Sequence, residues 1–509
     1  MIHVLVSSLR LSADGWLRAC VLVAAVSVLA ASCPAAATGA GRSPSRTRSE
    51  IHGAGSAAAA GDVNGDGHVD VVVSRGGLVQ PPRRGRTWVL FGPWWDGRID
   101  RVSTLDASGF VIEGANEDDL AAVSAPAGDV NGDGLDDVVV GAALAGTEGR
   151  EGYGAAYVVF GKAGTSAVEL SRYDAGEQTG GFRIAGPSEF SLAGSSVSTA
   201  GDVNADGLDD IVVGAPFSGS AYVVFGKTTT SPVDLALFDV NAQGVSGYRI
   251  DFPAPDYADG VSVAGGGDVN GDGLPDVLVG HVPHTYDSPG SVFVVFGKAT
   301  PEPVDVVALA SHGFEIQGRR AGDATGYSVA DAGDLNDDGN SDVVIGAPRI
   351  NYRARGGAAV VFGSAATDVV RLSDIGARGF LISGDRRGDN VGNAVGGGGD
   401  VDGDGLDDIV VGARDAGRFA GAAYVVYGRR GGDTIRLADL GPRGSRIEGV
   451  RSSPRRCDRP DWSWCPGDWF GHSVTGIGDV DGDRRADLLI GAYAAGTGRL
   501  GRSYIIRGR

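Results

Sequence analysis

The chain has 509 residues, 86 of them Gly, with 42% hydrophobic and 21% charged residues and a formal charge of −20. That apolar content excludes a disordered chain, and abundant Gly without a three-residue period excludes collagen and points to tight turns. The acidic balance, with no basic stripe, excludes a general nucleic-acid binder.

In chain order the first element is an apolar run. Arg10 and Arg18 flank the approach to "CVLVAAVSVLAAS" (20–32), which is short for a bilayer span, and "AAA" at 35–37 offers a cleavage site of small residues. The expectation is an export signal over 1–37, a linker over 38–48 and one folded region over 49–509. Lipoprotein processing at Cys33 is the weaker alternative, since Ala30 stands where such signals usually carry Leu. A retained anchor is the third. Membrane attachment would run only through this segment, and the expected location is secreted or cell surface.

From residue 62 onward one acidic phrase returns, as in "GDVNGDGLDDVVVGA" at 128–142. It begins at Asp62, Asp129, Asp202, Asp268, Asp334, Asp400 and Asp479, with gaps of 67, 73, 66, 66, 66 and 79 residues. A unit near 66 residues, repeated seven times, is the mark of a repeat architecture. Each unit holds four strand-like pieces, shown by "GYSVADAG" (326–333), "SDVVIGAP" (341–348), "GGAAVVFG" (356–363) and "GFLISG" (379–384). The second and third are near-continuous apolar runs suited to strands buried on both faces. Separate sandwiches would leave one face of such strands wet. The expected fold is therefore all-β, a seven-bladed propeller of four-stranded antiparallel blades. The last unit ends in "SYIIRGR" without a fourth piece, and "SEIHG" (49–53) is expected to supply it and close the ring.

The acidic phrase reads Asp-x-Asn/Asp-x-Asp-Gly-x-x-Asp, with oxygen donors at alternate positions. Side-chain candidates are Asp62, Asn64, Asp66 and Asp70 in the first loop, and Asp129, Asn131, Asp133 and Asp137 in the second. Asp202, Asn204, Asp206 and Asp210 follow, then Asp268, Asn270, Asp272 and Asp276, then Asp334, Asn336, Asp338 and Asp342. The last two loops offer Asp400, Asp402, Asp404 and Asp408, and Asp479, Asp481, Asp483 and Asp487. The seventh residue, Leu135 in the second loop, adds a carbonyl oxygen, and Gly134 permits the bend. Hard oxygens in a flexible loop suit Ca²⁺, whereas softer metals ask for His or Cys. Turn-making alone explains one copy of the phrase, not seven with one spacing. No helix pair flanks the loops and no Glu stands at position twelve, which excludes an EF-hand. Up to seven Ca²⁺ are expected, holding the fold by linkage. Arg484 replaces the bend Gly in the last loop, which is expected to be the weakest.

The repeat resembles the FG-GAP repeat of integrin α subunits, on Phe160-Gly161 and Phe225-Gly226 and on Gly214-Ala215-Pro216 and Gly346-Ala347-Pro348. The resemblance implies a seven-bladed propeller with calcium loops on one face and ligand contact on the other.

Other motifs fall away. Arg387-Gly388-Asp389 looks like an adhesion tripeptide, but "GDxxG" recurs at 322–326 and 467–471, so it reads as repeat pattern after a chance Arg. "FGKT" at 225–228 lacks the first Gly of a phosphate loop. His281 and His284 share a loop without metal-binding partners. The segment 450–470 departs most from the repeat. Cys457 and Cys465 read as a local disulfide in an exported chain. Arg455, Arg456, Trp462 and Trp464 would make a ligand patch on the face opposite the calcium loops, while Trp469 is expected to pack over a blade junction. Trp94 and Trp95 belong to the calcium face. The expected function is an exported, calcium-binding adhesion or binding module for a protein or glycan, with no enzymatic activity and no nucleic-acid partner. The alternative is a polysaccharide-processing or other hydrolytic enzyme on the same ring, for which no GxSxG, HExxH or Cys–His pairing is present.

Overall fold

The computed structural model describes residues 48–75, 84–93, 108–116, 119, 121–146, 152–177, 179–240, 246–252, 258–283, 287–348, 355–449, 467–495 and 501–509. The export-signal segment, Cys457 and Cys465, Arg455, Arg456, Trp462 and Trp464, Trp94 and Trp95, and His284 all lie outside the described residues.

Seven sheets form, each built from consecutive strands that zigzag outward. Blade 2 is representative. Its innermost strand Ala121–Gly128 pairs with Asp137–Ala142, which pairs with Ala155–Val159, which pairs with the outer strand Gly181–Ala185, all antiparallel. The second and third strands, "DVVVGA" and "AAYVV", are buried at every residue. Their two faces meet different neighbours. One core cluster joins Val72, Val89 and Phe110 of blade 1 to Val138, Val140 and Tyr157 of blade 2. Another joins Val139, Val158 and Phe182 of blade 2 to Ile211, Val213 and Tyr222 of blade 3. The hydrophobic core thus lies between blades, which is why the β-branched runs need no polar alternation.

Ring closure follows the sequence expectation. The strand Arg48–His52 pairs antiparallel with Arg502–Ile506, from Arg48 opposite Ile506 to His52 opposite Arg502. The last blade therefore takes its outer strand from the N-terminal side of the described chain. Its interface with blade 1 places Ile51, Ile477, Leu489 and Ile505 against Val71, Val73 and Trp88.

The expectation of four-stranded, purely antiparallel blades needs one correction. Five sheets carry a fifth, two-residue strand in parallel on the outer edge. Val168–Glu169 of blade 2 lies along Ile112 and Glu113 of blade 1, and Val233–Asp234 of blade 3 along Ile184 and Ala185. Each comes from the connection between the third and outer strands of the following blade. Two residues bounded by a turn give no alternation to read, yet they occupy backbone groups that an edge strand would leave open.

Every innermost strand enters its acidic phrase through a Gly in the left-handed region, such as Gly128 at φ 72° and Gly201 at φ 72°. In blade 3 the register shifts between Thr199 and Gly201 at a bulge. The acidic loops all follow innermost strands, so they share one face of the ring. The connections from outer strands to the next innermost strands share the other.

Candidate functional site

The first Asp of each phrase folds the loop around its own carboxylate. In the second loop Asp129 Oδ1 accepts from Gly132 N at 2.7 Å and Asp133 N at 3.1 Å, and Oδ2 from Gly134 N at 2.9 Å. Asp62, Asp268, Asp400 and Asp479 repeat the arrangement. The fifth residue caps the seventh, as Asp133 Oδ1 accepts from Leu135 N at 3.0 Å. Position four is left-handed even where it is not Gly, at Ala205 (φ 60°) and Asp337 (φ 61°). At position six, Arg484 holds φ 71°, the strained conformation expected from the sequence.

The ninth Asp is the most buried part of the loop. Asp70, Asp137, Asp210, Asp276, Asp342, Asp408 and Asp487 are all 0% exposed. One oxygen accepts from the backbone of loop position two, as Asp137 Oδ2 does from Val130 N at 3.1 Å. The other accepts from the Gly of the Phe-Gly pair, here Gly161 N at 2.7 Å. The same bond runs from Gly92, Gly226, Gly297, Gly363, Gly428 and Gly508 to their ninth Asp. A Cβ on Gly161 would lie 2.7 Å from the Asp136 carbonyl and 2.8 Å from that of Val63. The two sequence signatures, acidic phrase and Phe-Gly, are therefore two halves of one contact.

Burial pushes these ninth carboxylates far above the ordinary carboxylate range, with backbone hydrogen bonds opposing and the other loop carboxylates adding to the rise. Asp137 and Asp210 reach about 8, Asp70, Asp276, Asp342 and Asp408 about 7, and Asp487 about 6. In two loops the carboxylate oxygens converge within 4.8 Å, those of Asp400, Asp402 and Asp408 and those of Asp479, Asp481 and Asp483. These are the loops in which an Asp replaces Asn at position three. Mutually repelling oxygens gathered this closely form a donor set for a hard cation. The seventh loop also meets protein cations, since Arg507 Nε lies 3.2 Å from Asp481 Oδ2.

Position eight was missed in the sequence. Asp136 Oδ2 accepts from Asp62 N of the preceding blade at 2.6 Å, and Asp136 N donates to Asp62 O at 3.1 Å. Asp209 meets Asp129, and Asp407 meets Asp334, in the same way. Successive loops are thus tied directly to one another. The recurrence of Asp before the ninth position was the available signal, but nothing local shows that it faces another blade. The residue after two of the Phe-Gly pairs adds a further tie: Lys162 N donates to Val63 O and Lys227 N to Val130 O, both at 2.8 Å, and Lys227 Nζ sits 4.1 Å over the Phe182 ring. That contact settles "FGKT" as a strand end.

On the opposite face, Asp389 of the Arg-Gly-Asp tripeptide is only 6% exposed, which removes the carboxylate a receptor would need. His281 is buried and packs on Phe252 at 5.2 Å, a core position. Trp469 stacks on Tyr493 with centroids 6.3 Å apart at the junction of blades 6 and 7, as the packing expectation had it. Among the described residues, no helix is long and apolar enough to cross a membrane.

A family profile described as FG-GAP repeat matches residues 54–90, 121–159, 193–229 and 470–506, which fall on blades 1, 2, 3 and 7. Integrin alpha pat-2 of Caenorhabditis briggsae is 33% identical over 245 residues, 43% of this chain and 18% of that protein. Integrin alpha-V of Gallus gallus is 30% identical over 247 residues, 48% and 21% of the two chains. Integrin alpha-3 of Cricetulus griseus is 34% identical over 152 residues, 30% and 13%. The matches thus span about a fifth or less of the relatives' length. A solved structure titled as that of a streptogramin B lyase superposes with a TM-score of 0.38 and 9% identity over 89% of this chain and 93% of that one, a score too low to bear on function. Repeat profile, ring topology and relatives together make this chain an integrin α-like FG-GAP β-propeller.

Proposed function

We propose that this propeller is an exported, calcium-binding adhesion module, secreted or held at the cell surface, that engages a protein or glycan on the face opposite the acidic loops. The observation that carries it is the ring of FG-GAP units with an acidic loop in each blade, similar to integrin α subunits.

The loops have the chemistry for Ca²⁺. Side-chain oxygens of positions one, three, five and nine and the carbonyl of position seven would hold the ion, with Asp402 and Asp481 giving their loops one more charge. Bound calcium would neutralise the carboxylates and fix a bend that the backbone already makes. Its role in this reading is to hold the blades, leaving the other face to bind. Cys457 and Cys465 as a disulfide, and the neighbouring Arg455, Arg456, Trp462 and Trp464 as ligand contacts, belong to the same proposal.

The test is retention of the purified chain on arrayed extracellular proteins, glycans and intact cells, in calcium and in chelator. Saturable binding without turnover of the bound material is the expected result. Cleavage of an arrayed polysaccharide would replace the adhesion reading with the enzymatic one.

A further inference from the structure

Blade 7 breaks the repeat at three places that the fold brings together on the face opposite the acidic loops. Where blade 3 has Leu192, Ser195 and Pro216, blade 7 has Trp469, His472 and Tyr493. Tyr493 stacks with Trp469 at 6.3 Å and an interplanar angle of 25°, and its ring lies 4.9 Å from that of His472. Each of the three residues is half-buried.

Trp469 Nε1, His472 Nδ1 and Tyr493 Oη are shielded from water and have no hydrogen-bond partner. A buried polar atom without a partner is destabilising, so three in a single aromatic cluster call for an occupant that satisfies them. The backbone around them is fixed. Trp469 N donates to Phe419 O of blade 6 at 3.1 Å, His472 N to Trp469 O at 3.2 Å and Ala494 N to Asp468 O at 3.2 Å. Leu192 of blade 3 takes the same left-handed turn as Trp469, φ 53° against 54°, so the backbone belongs to the repeat and only the side chains are special.

We propose that Trp469, His472 and Tyr493 form a saccharide subsite, in which the rings pack against a sugar face and their three unpartnered polar atoms bond its hydroxyls. This rests on the reading that the face opposite the acidic loops binds a ligand, and it names the class. An indole N–H only donates, while a phenol both donates and accepts; a hydroxyl-rich ligand serves both, and a cation or an anion serves one. The three rings themselves carry no charge. Burial, with the Arg414 charge adding, pushes His472 down to about 3, so the imidazole is neutral, and Arg414 itself lies 4.0 Å from Asp415. The class is therefore a neutral saccharide. Reaching the polar atoms takes a rotamer change of the kind common at interfaces.

The experiment applies the full chain, in calcium, to an array of neutral hexose oligosaccharides, with sialylated and sulfated glycans and extracellular-matrix proteins printed beside them. Trp469→Leu copies the residue of blade 3, and Tyr493→Phe removes one oxygen and nothing else. Wild type should retain neutral saccharides. Trp469→Leu should weaken them by about tenfold or more, and Tyr493→Phe by about three- to tenfold with a melting temperature no lower than that of wild type. Saccharide binding untouched by both substitutions overturns the subsite while leaving the ligand-binding face standing. Capture of acidic glycans or matrix proteins alone does the same. A wild-type chain that retains nothing of any class overturns the subsite and the binding reading together.

Discussion

Gly226 and Gly207 stand in the same blade, and each is fixed for a different reason. A Cβ on Gly226 would meet Leu208 Cβ at 2.5 Å, Asp209 O at 2.7 Å and Val130 O at 2.9 Å, whereas one on Gly207 meets nothing but strains a φ of 87°. Gly226→Ala is thus expected to cost about 1–3 kcal/mol by overpacking. Gly207→Ala should cost about 1–2 kcal/mol by conformation alone. Chemical denaturation of the two variants in chelator ranks them, and equal or reversed costs would argue against a close interblade approach at Phe-Gly. The ninth Asp residues make a second residue-scale prediction. Their carboxyls have an ordinary value near 3.8 and are raised to between about 6 and 8 in the fold. A group raised on folding binds protons more tightly in the native state, so its stabilisation is complete below the unfolded value and is lost as pH climbs through the folded one. In chelator the melting temperature should fall between pH 4 and pH 8, and saturating calcium should abolish that fall. A chelated protein that gains stability over this range would contradict the assignment of these carboxyls as buried and cation-compensated.

At the scale of elements, strand and loop are coupled across blades. The Asp209 carboxylate holds the backbone of Asp129 at 2.9 Å, as Asp407 holds that of Asp334. Pro275 occupies the same position in the fourth loop and has no N–H to give. Asp209→Ala should destabilise by about 1–3 kcal/mol, since it strips the partner from an interior N–H. The same substitution should also lower the calcium response of loop 2, although Asp209 belongs to loop 3. Thermal melts with and without calcium measure both effects, and an unaltered calcium response would confine Asp209 to a local role. The strand Arg48–His52 is the other decisive element. Removing residues through Gly53 exposes the edge of Arg502–Ile506 and strips Ile51 from the core between blades 7 and 1. A sharp drop in melting temperature is expected; a truncated chain that melts with wild type would show that the ring does not depend on this clasp.

For the whole molecule, stability is shared among seven interblade cores and among acidic loops tied backbone to backbone at five of the junctions. Calcium should therefore act on the ring as a unit. Chelation should lower the melting temperature, and the loops should contribute unequally. Loop 7 carries Arg484 in a left-handed bend and Arg507 paired with Asp481, two cations that compete with a metal. Asp133→Ala should erase more of the calcium-induced rise than Asp483→Ala, and calorimetric titration should show the same order. A seventh loop that binds as tightly as the second would refute this.

Much of the fold was legible because the chain repeats itself. Val138–Val140 and Ala155–Val159 read as doubly buried strands from their apolar runs alone, and seven acidic phrases at near-constant spacing left few architectures to choose from. The closing strand was legible only faintly, from the resemblance of "SEIHG" to outer-strand pieces, since its partner lies more than 450 residues away. The two-residue parallel strands were not legible, because Val168 and Glu169 carry no pattern of their own.

By itself, the sequence determined the unit: four strands, a bend built on Asp and Gly, and oxygen donors at alternate positions. These depend on neighbours within the same blade, where chain connectivity sets the contacts. Tertiary structure decided what the donors and rings do. Asp136 reaches back to Asp62, Gly161 bonds Asp137 while pressing on Val63, and Trp469, His472 and Tyr493 converge on one ring edge. Those encounters join residues from different strands and blades, and only closure of the ring brings them within hydrogen-bonding or stacking distance.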